Sequence, residues 1–114
     1  MNNETRVLTK EELKNSGIRL TGYKFPDKEL DCIVTVDEKV YNKHMGISTY
    51  VTTEDGEKFI LSVWKDKDAA RGRNYMPSKS DVDISKVALG AKLKVKIVKS
   101  SKSDLYFWLE AEEV

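Results

Sequence analysis

Apolar and polar residues alternate with a period of two in five separate runs of this chain, and the clearest helical signal stands near its start. There Thr9 precedes Glu12 by three residues, the spacing of a capping box in which hydroxyl and carboxylate satisfy each other's backbone donors. A helix over residues 10–16 is predicted, ended by Gly17, with a loose tail before it. Residues 18–25 are extended and run into the turn pair Pro26-Asp27. From Leu30 the period is two, with Cys32, Val34 and Val36 on one side and Asp31, Thr35 and Asp37 on the other. A second strand alternates Ile47, Thr49 and Val51 with Ser48, Tyr50 and Thr52. It ends at Glu54-Asp55-Gly56-Glu57, where Asp-Gly predicts a tight hairpin. The returning strand covers residues 58–64, with Phe59, Leu61 and Val63 on one face.

A stretch of charges, Gly72, Pro77 and several Ser and Asp then fills residues 65–89, as expected of a surface insert. A short helix over 80–89 would bring Val82, Val87 and Leu89 to one side, although Asp83 and Ser85 are poor helix formers. Gly90 opens a second hairpin. Leu93, Val95 and Ile97 point one way and Lys92, Lys94 and Lys96 the other; after a loop at 100–104, Leu105, Phe107 and Leu109 share the inner face, and Tyr106 and Trp108 the outer. Five strands, a short N-terminal helix and a loop or helix insert between strands 3 and 4 make a mainly β fold. This is the element order of an oligonucleotide-binding (OB) barrel. Small SH3-like barrels and other β-rich folds share it. Residues 1–16 are then tail and helix, and 17–114 a single OB-like barrel domain, with no internal repeat.

With 114 residues the chain is one domain, large enough for a core of its own. Its net charge of +1 singles out no polyanion, but the charges are segregated. Residues 58–103 hold twelve Lys/Arg against four Asp/Glu, whereas 1–57 hold eight against eleven and 104–114 none against four. One cysteine, Cys32, and one histidine, His44, exclude an intrachain disulfide and leave a Cys/His zinc site short of ligands. Cys32 is expected in the core. The opening MNNETRVLTKEEL has no apolar run of a secretory signal and no stretch is long enough to span a bilayer, so a cytoplasmic protein without membrane contact is expected.

The chemistry on offer is that of single-stranded nucleic-acid binding, in which cations neutralise phosphates and flat rings stack on bases. The closing hairpin supplies Lys92, Lys94 and Lys96 with Tyr106 and Trp108, if its faces fall as alternation predicts. The insert supplies Lys65, Lys67, Arg71 and Arg73, followed by Asn74-Tyr75 and preceded by Trp64; Tyr50 lies on the polar side of its strand, and Tyr41 precedes a loop. A solvated loop and an exposed sheet protected by lysines account for the same residues, and a register inverted in either hairpin would exchange the faces. Catalysis has little to work with: the closest acidic pairs, Asp66/Asp68 and Asp81/Asp83, sit in a basic, turn-rich stretch, and there is no phosphate-cradling glycine loop or nucleophile elbow. Neither a catalytic residue, a metal ligand nor a cofactor is predicted.

The terminal segment KLKVKIVKSSKSDLYFWLEAEEV, a Lys-rich strand, a Ser/Lys loop and an aromatic-rich strand, resembles the closing hairpin of small phage-encoded single-stranded DNA-binding proteins, nearest to the non-classical ones of lactococcal siphophages. The likeness covers these last two dozen or so residues well and the hairpin at 50–64 loosely. It implies an OB barrel that coats single-stranded DNA in the host cytoplasm during phage replication, recombination or repair, without cofactor or turnover. Lys94, Lys96, Tyr106 and Trp108 would be its contacts, and replication or recombination proteins its further partners. Bacterial proteins of this kind end in a long acidic-aromatic tail, where this sequence ends at Glu112-Glu113-Val114. A homodimer paired through an edge strand or helix is the expected assembly. The rival expectation is a small phage protein that inhibits a host defence or replication protein through a charged surface.

Overall fold

A computed structural model describes residues 5–41, 46–64, 84–99 and 106–114, with the backbone alone at 46, 62–64, 85 and 107–110. The helix α1 spans Lys10–Ser16, between Thr9 and a left-handed Gly17 at φ 78°. Its capping box is complete: the Glu12 amide donates to Thr9 Oγ1 at 3.1 Å and the Thr9 amide to Glu12 Oε1 at 3.0 Å. That backbone bond, and then the Thr9 side chain, hold the Glu12 carboxyl below its ordinary pKa. α1 buries no side chain. The segment before it is not the loose tail its terminal position suggested. Leu8 is buried, its amide donates to Lys39 O at 2.9 Å, its carbonyl accepts from the Tyr41 amide at 2.8 Å, and Arg6 meets the buried Glu38 at 3.0 Å.

Five strands follow, β1 Leu30–Tyr41, β2 Gly46–Thr53, β3 Lys58–Trp64, β4 Lys92–Lys99 and β5 Tyr106–Glu113. They form one antiparallel sheet in the order β3-β2-β1-β4-β5. The β2–β3 hairpin turns at the expected Asp55-Gly56, with Gly56 at φ 88°, a conformation that costs glycine nothing. β1 serves two partners, β4 through Leu30 to Thr35 and β2 through Val34 to Tyr41, with a bulge between Val36 and Glu38. An extra residue bends and twists a strand, which lets its halves belong to differently oriented neighbours.

Alternation placed the core correctly over most of the sheet. Leu30, Val34, Val36, Ile47, Val51, Phe59, Leu61, Leu93, Val95, Ile97 and Ala111 are buried together, closed over by Ile84, Val87 and Leu89, with Cys32 half-buried against them. The helix expected over 80–89 is, within the described residues, a 3-10 turn, Ile84–Lys86. It ends early because the chain is tied to β1 just beyond it: the Gly90 amide donates to Val36 O at 2.7 Å and the Val36 amide to Ala91 O at 2.9 Å.

The closed barrel implied by the element order is not what the described residues form. They form a single sheet that is not closed, since β3 and β5 do not pair. Part of the outer edge of β3 is occupied by Lys24, whose amide donates to Lys58 O at 3.3 Å and whose carbonyl accepts from the Ile60 amide at 2.8 Å. A nearby segment meets the edge that barrel closure would use.

Lys39 has no exposed surface and stands on the core side, opposite Thr49. A buried ammonium needs acceptors for its three protons. The carbonyls of Thr5 and Ile84, both at 3.0 Å, and of Val87, at 2.5 Å, supply them. This one side chain joins the N-terminal segment, the central strand and the 3-10 turn.

Candidate nucleic-acid interface

The face of the sheet turned away from the core carries the chemistry. In the pleat, residues directly opposite each other share a face, so Tyr50 lies beside Ile60, and Thr52 beside both Lys58 and Thr35. Tyr50 is half-buried because Tyr23 packs on it edge-on, with ring centroids 5.1 Å apart at 86°. The Tyr23 hydroxyl donates to Asp37 Oδ2 at 2.9 Å, and the Thr52 hydroxyl donates to the same oxygen at 2.5 Å. Lys58 Nζ lies 5.2 Å from the centre of the Tyr23 ring, within cation–π range. Burial, then the hydrogen bond and negative charge of Asp37, push the Tyr23 phenol up to about 12, and burial raises the Tyr50 phenol as well. Two residues after Tyr23, Phe25 is 67% exposed.

Tyr23 was absent from the residues singled out by sequence. Its signal was present but weak: residues two apart on an extended segment project to one side, and Tyr23 and Phe25 flank Lys24, the residue that pairs with β3. What the sequence did not carry is where that segment docks.

The lysines of β4 lie on this same outer face as expected, Lys92 and Lys94 exposed and Lys96 half-buried. One row crosses four strands as Lys58, Thr52, Thr35 and Lys92, placing two lysines three strand spacings apart, about 14 Å. Farther along β4 the register changes the electrostatics. Lys94 stands opposite Glu112, and Lys96 between Asp31 and Glu110. Opposite charges facing each other across strands offset one another, so antiparallel pairing partly undoes the segregation seen along the chain.

The closing hairpin departs from simple alternation. A bulge between Lys96 and Ile97 leaves Lys96 opposite Glu110 but sets Ile97 opposite Trp108 and Lys99 opposite Tyr106. The extra residue reverses parity beyond it. Tyr106 is half-buried against the core, not beside Lys94 and Lys96 on the outer face. Tyr41 also packs against the core. For Trp64, opposite Gly46, and for Trp108 the backbone alone is described. Lys65, Lys67, Arg71 and Arg73, with Asn74, Tyr75, His44 and the acidic pairs Asp66/Asp68 and Asp81/Asp83, lie outside the described residues. Of the expected contacts, the structure thus brings Tyr50, Lys92, Lys94 and Lys96 to one face, adds Tyr23 and Lys58, and removes Tyr106.

Among the described residues no group of three or more His, Cys, Asp or Glu is gathered to hold a metal, and no helix is long and apolar enough to cross a membrane. Compared with family models, curated proteins and solved structures, the chain gives no match.

Proposed function

We propose that this chain binds single-stranded DNA with little overall sequence preference, laying it across the outer face of β2, β3 and β4. The observation that carries the reading is the tyrosine pair Tyr23/Tyr50 set into the same face as Lys58, Lys92 and Lys94. Rings offer stacking surface to any base, and lysines gain by releasing counterions from the backbone. The strand order adds support. An OB barrel has the same neighbours, with a further contact between strands 3 and 5, and it takes oligonucleotides on the face of strands 2 and 3. We therefore place the chain as an open OB-like sheet, with Tyr50 on the binding face of β2.

The mechanism is capture by charge followed by stacking. Affinity for oligo-dT is expected to fall with salt at a log–log slope of about −0.7 per phosphate neutralised, and Tyr50→Ala to weaken binding about tenfold or more, the value of one lost stacked base. Sizing chromatography of a micromolar mixture is the direct test. An oligonucleotide eluting at its own unshifted volume at low salt refutes the proposal and transfers the charged face to a protein partner.

A further inference from the structure

Asp37 sits on the proposed binding face in an unusual state. A carboxylate among phosphate-binding groups repels the ligand backbone, so its place in the middle of the platform calls for a reason. Asp37 is the extra residue of the β1 bulge, pushed out between Val36 and Glu38 and half-buried. Both its hydroxyl donors, Tyr23 and Thr52, address Oδ2. Oδ1 accepts no hydrogen bond from any described residue. The carboxylate is thus held in position through one oxygen, beside the Tyr23/Tyr50 pair, and no donor among the described residues engages the other.

We infer that Asp37 reads the edge of a base stacked on that pair, its Oδ1 accepting a hydrogen bond from an exocyclic amine. The inference rests on the proposed binding reading and sharpens it. A carboxylate accepts and cannot donate, so it favours cytosine, whose C4 carries an amine, over uracil, whose C4 carries a carbonyl. Thymine is disfavoured for the same reason. The tyrosines supply stacking to any base, and Asp37 superimposes a preference at one position of the strand. Anchoring Tyr23 to the sheet needs only Oδ2, and an asparagine side-chain carbonyl would serve it.

The experiment compares fluorescence anisotropy titrations of labelled oligo-dC and oligo-dU of equal length at pH 8, with the intact chain and with Asp37→Asn. The wild-type chain is expected to bind oligo-dC about tenfold more tightly than oligo-dU, one charge-assisted base contact. In Asp37→Asn the preference disappears, while affinity for oligo-dU stays the same or rises as repulsion is lifted. Equal wild-type affinities overturn the inference and leave the binding reading standing. A preference that survives in a folded Asp37→Asn also overturns it. Should that variant not fold, wild-type binding to an N4,N4-dimethylcytosine oligomer decides: it keeps the ring but has no amine hydrogen, so affinity equal to that for oligo-dC overturns the inference and affinity near that for oligo-dU supports it. If neither oligo-dC nor oligo-dU binds the wild-type chain, the binding reading fails, and this inference with it.

Discussion

Replacing Lys39 with methionine separates two opposed effects of a buried cation. Methionine keeps the length and the apolar stem and removes only the ammonium, so packing in the core is nearly conserved. The carbonyl of Val87, a buried residue, then loses this donor and cannot turn to water, while the Ile84 carbonyl keeps the Val87 amide and loses only its second bond. The orphaned acceptor costs about 1–3 kcal/mol and the lost second bond about 1 kcal/mol, or about 2–4 kcal/mol together. The Thr5 carbonyl belongs to an exposed residue and is rehydrated at little cost. In the other direction, the variant no longer buries a charge, a relief that can reach several kcal/mol when the charge is poorly satisfied. Here three carbonyls meet three ammonium protons, so the relief is small, and a net loss of about 3 kcal/mol is expected. At about 4 °C per kcal/mol for a domain of this size, Tm falls by about 12 °C. Calorimetry and urea unfolding measure it, and amide exchange localises it. The Leu8 and Val87 amides, bonded to Lys39 O and Ile84 O, gain more exchange than the Thr49 amide in β2. An unchanged or higher Tm would show that the buried charge costs as much as its bonds return, and would refute the clamp assigned to Lys39.

Two further perturbations test the outer face and the core. Tyr23→Phe removes the hydroxyl bond to Asp37 and keeps the ring on Tyr50, for an expected loss of about 1 kcal/mol at neutral pH. The folded phenol lies at about 12 against an ordinary 10, so its stabilising effect is complete below pH 10 and is lost as pH rises from 10 to 12. Urea midpoints of the two proteins should converge over that range, and a difference unchanged at pH 12 would count against the bond. Thr49 is fully buried on the core side, and its hydroxyl has no hydrogen-bond partner among the described residues. Thr49→Val should therefore raise stability by about 1 kcal/mol, read by chemical denaturation, and a loss would mean that the hydroxyl is satisfied after all.

The parts of the fold that short-range chemistry dictates were legible in the sequence. Thr9 and Glu12 define the start of α1 by themselves, Asp55-Gly56 defines the hairpin, and alternation around Val34, Val51 and Val95 identifies the core side of three strands. Two bulges, which leave no local signature, set the limit. In β1, counting from Cys32, Val34 and Val36 by twos puts Glu38 inside and Lys39 outside; the bulge after Val36 turns Lys39 into the core and leaves Asp37 on the outer face. In the closing hairpin, counting back from Ala111 by twos puts Phe107 inside and Tyr106 outside, and the bulge next to Lys96 brings Tyr106 to the core.

The consequence for function is that alternation lays out the binding face and the inserted residues decide what stands at its centre and what is removed from it. Without the bulge in β1, pairing continued from Val36 and Val51 would set Asp37 directly opposite Tyr50; the inserted residue gives that place to Glu38 and leaves Asp37 to the Tyr23 and Thr52 hydroxyls. The segment that carries Tyr23 is held to the sheet through Asp37 and, at the β3 edge, through Lys24 and Lys58, and its ring half-covers Tyr50. The same inserted residue carries Lys39 inward, where its ammonium holds the 3-10 turn and the segment around Thr5. One backbone irregularity thus couples the anchoring of the segment around Thr5 to the residues that stand on the outer face. Assigning faces by parity alone places Asp37 correctly and goes wrong at Glu38 and Lys39, the residues that follow the inserted one.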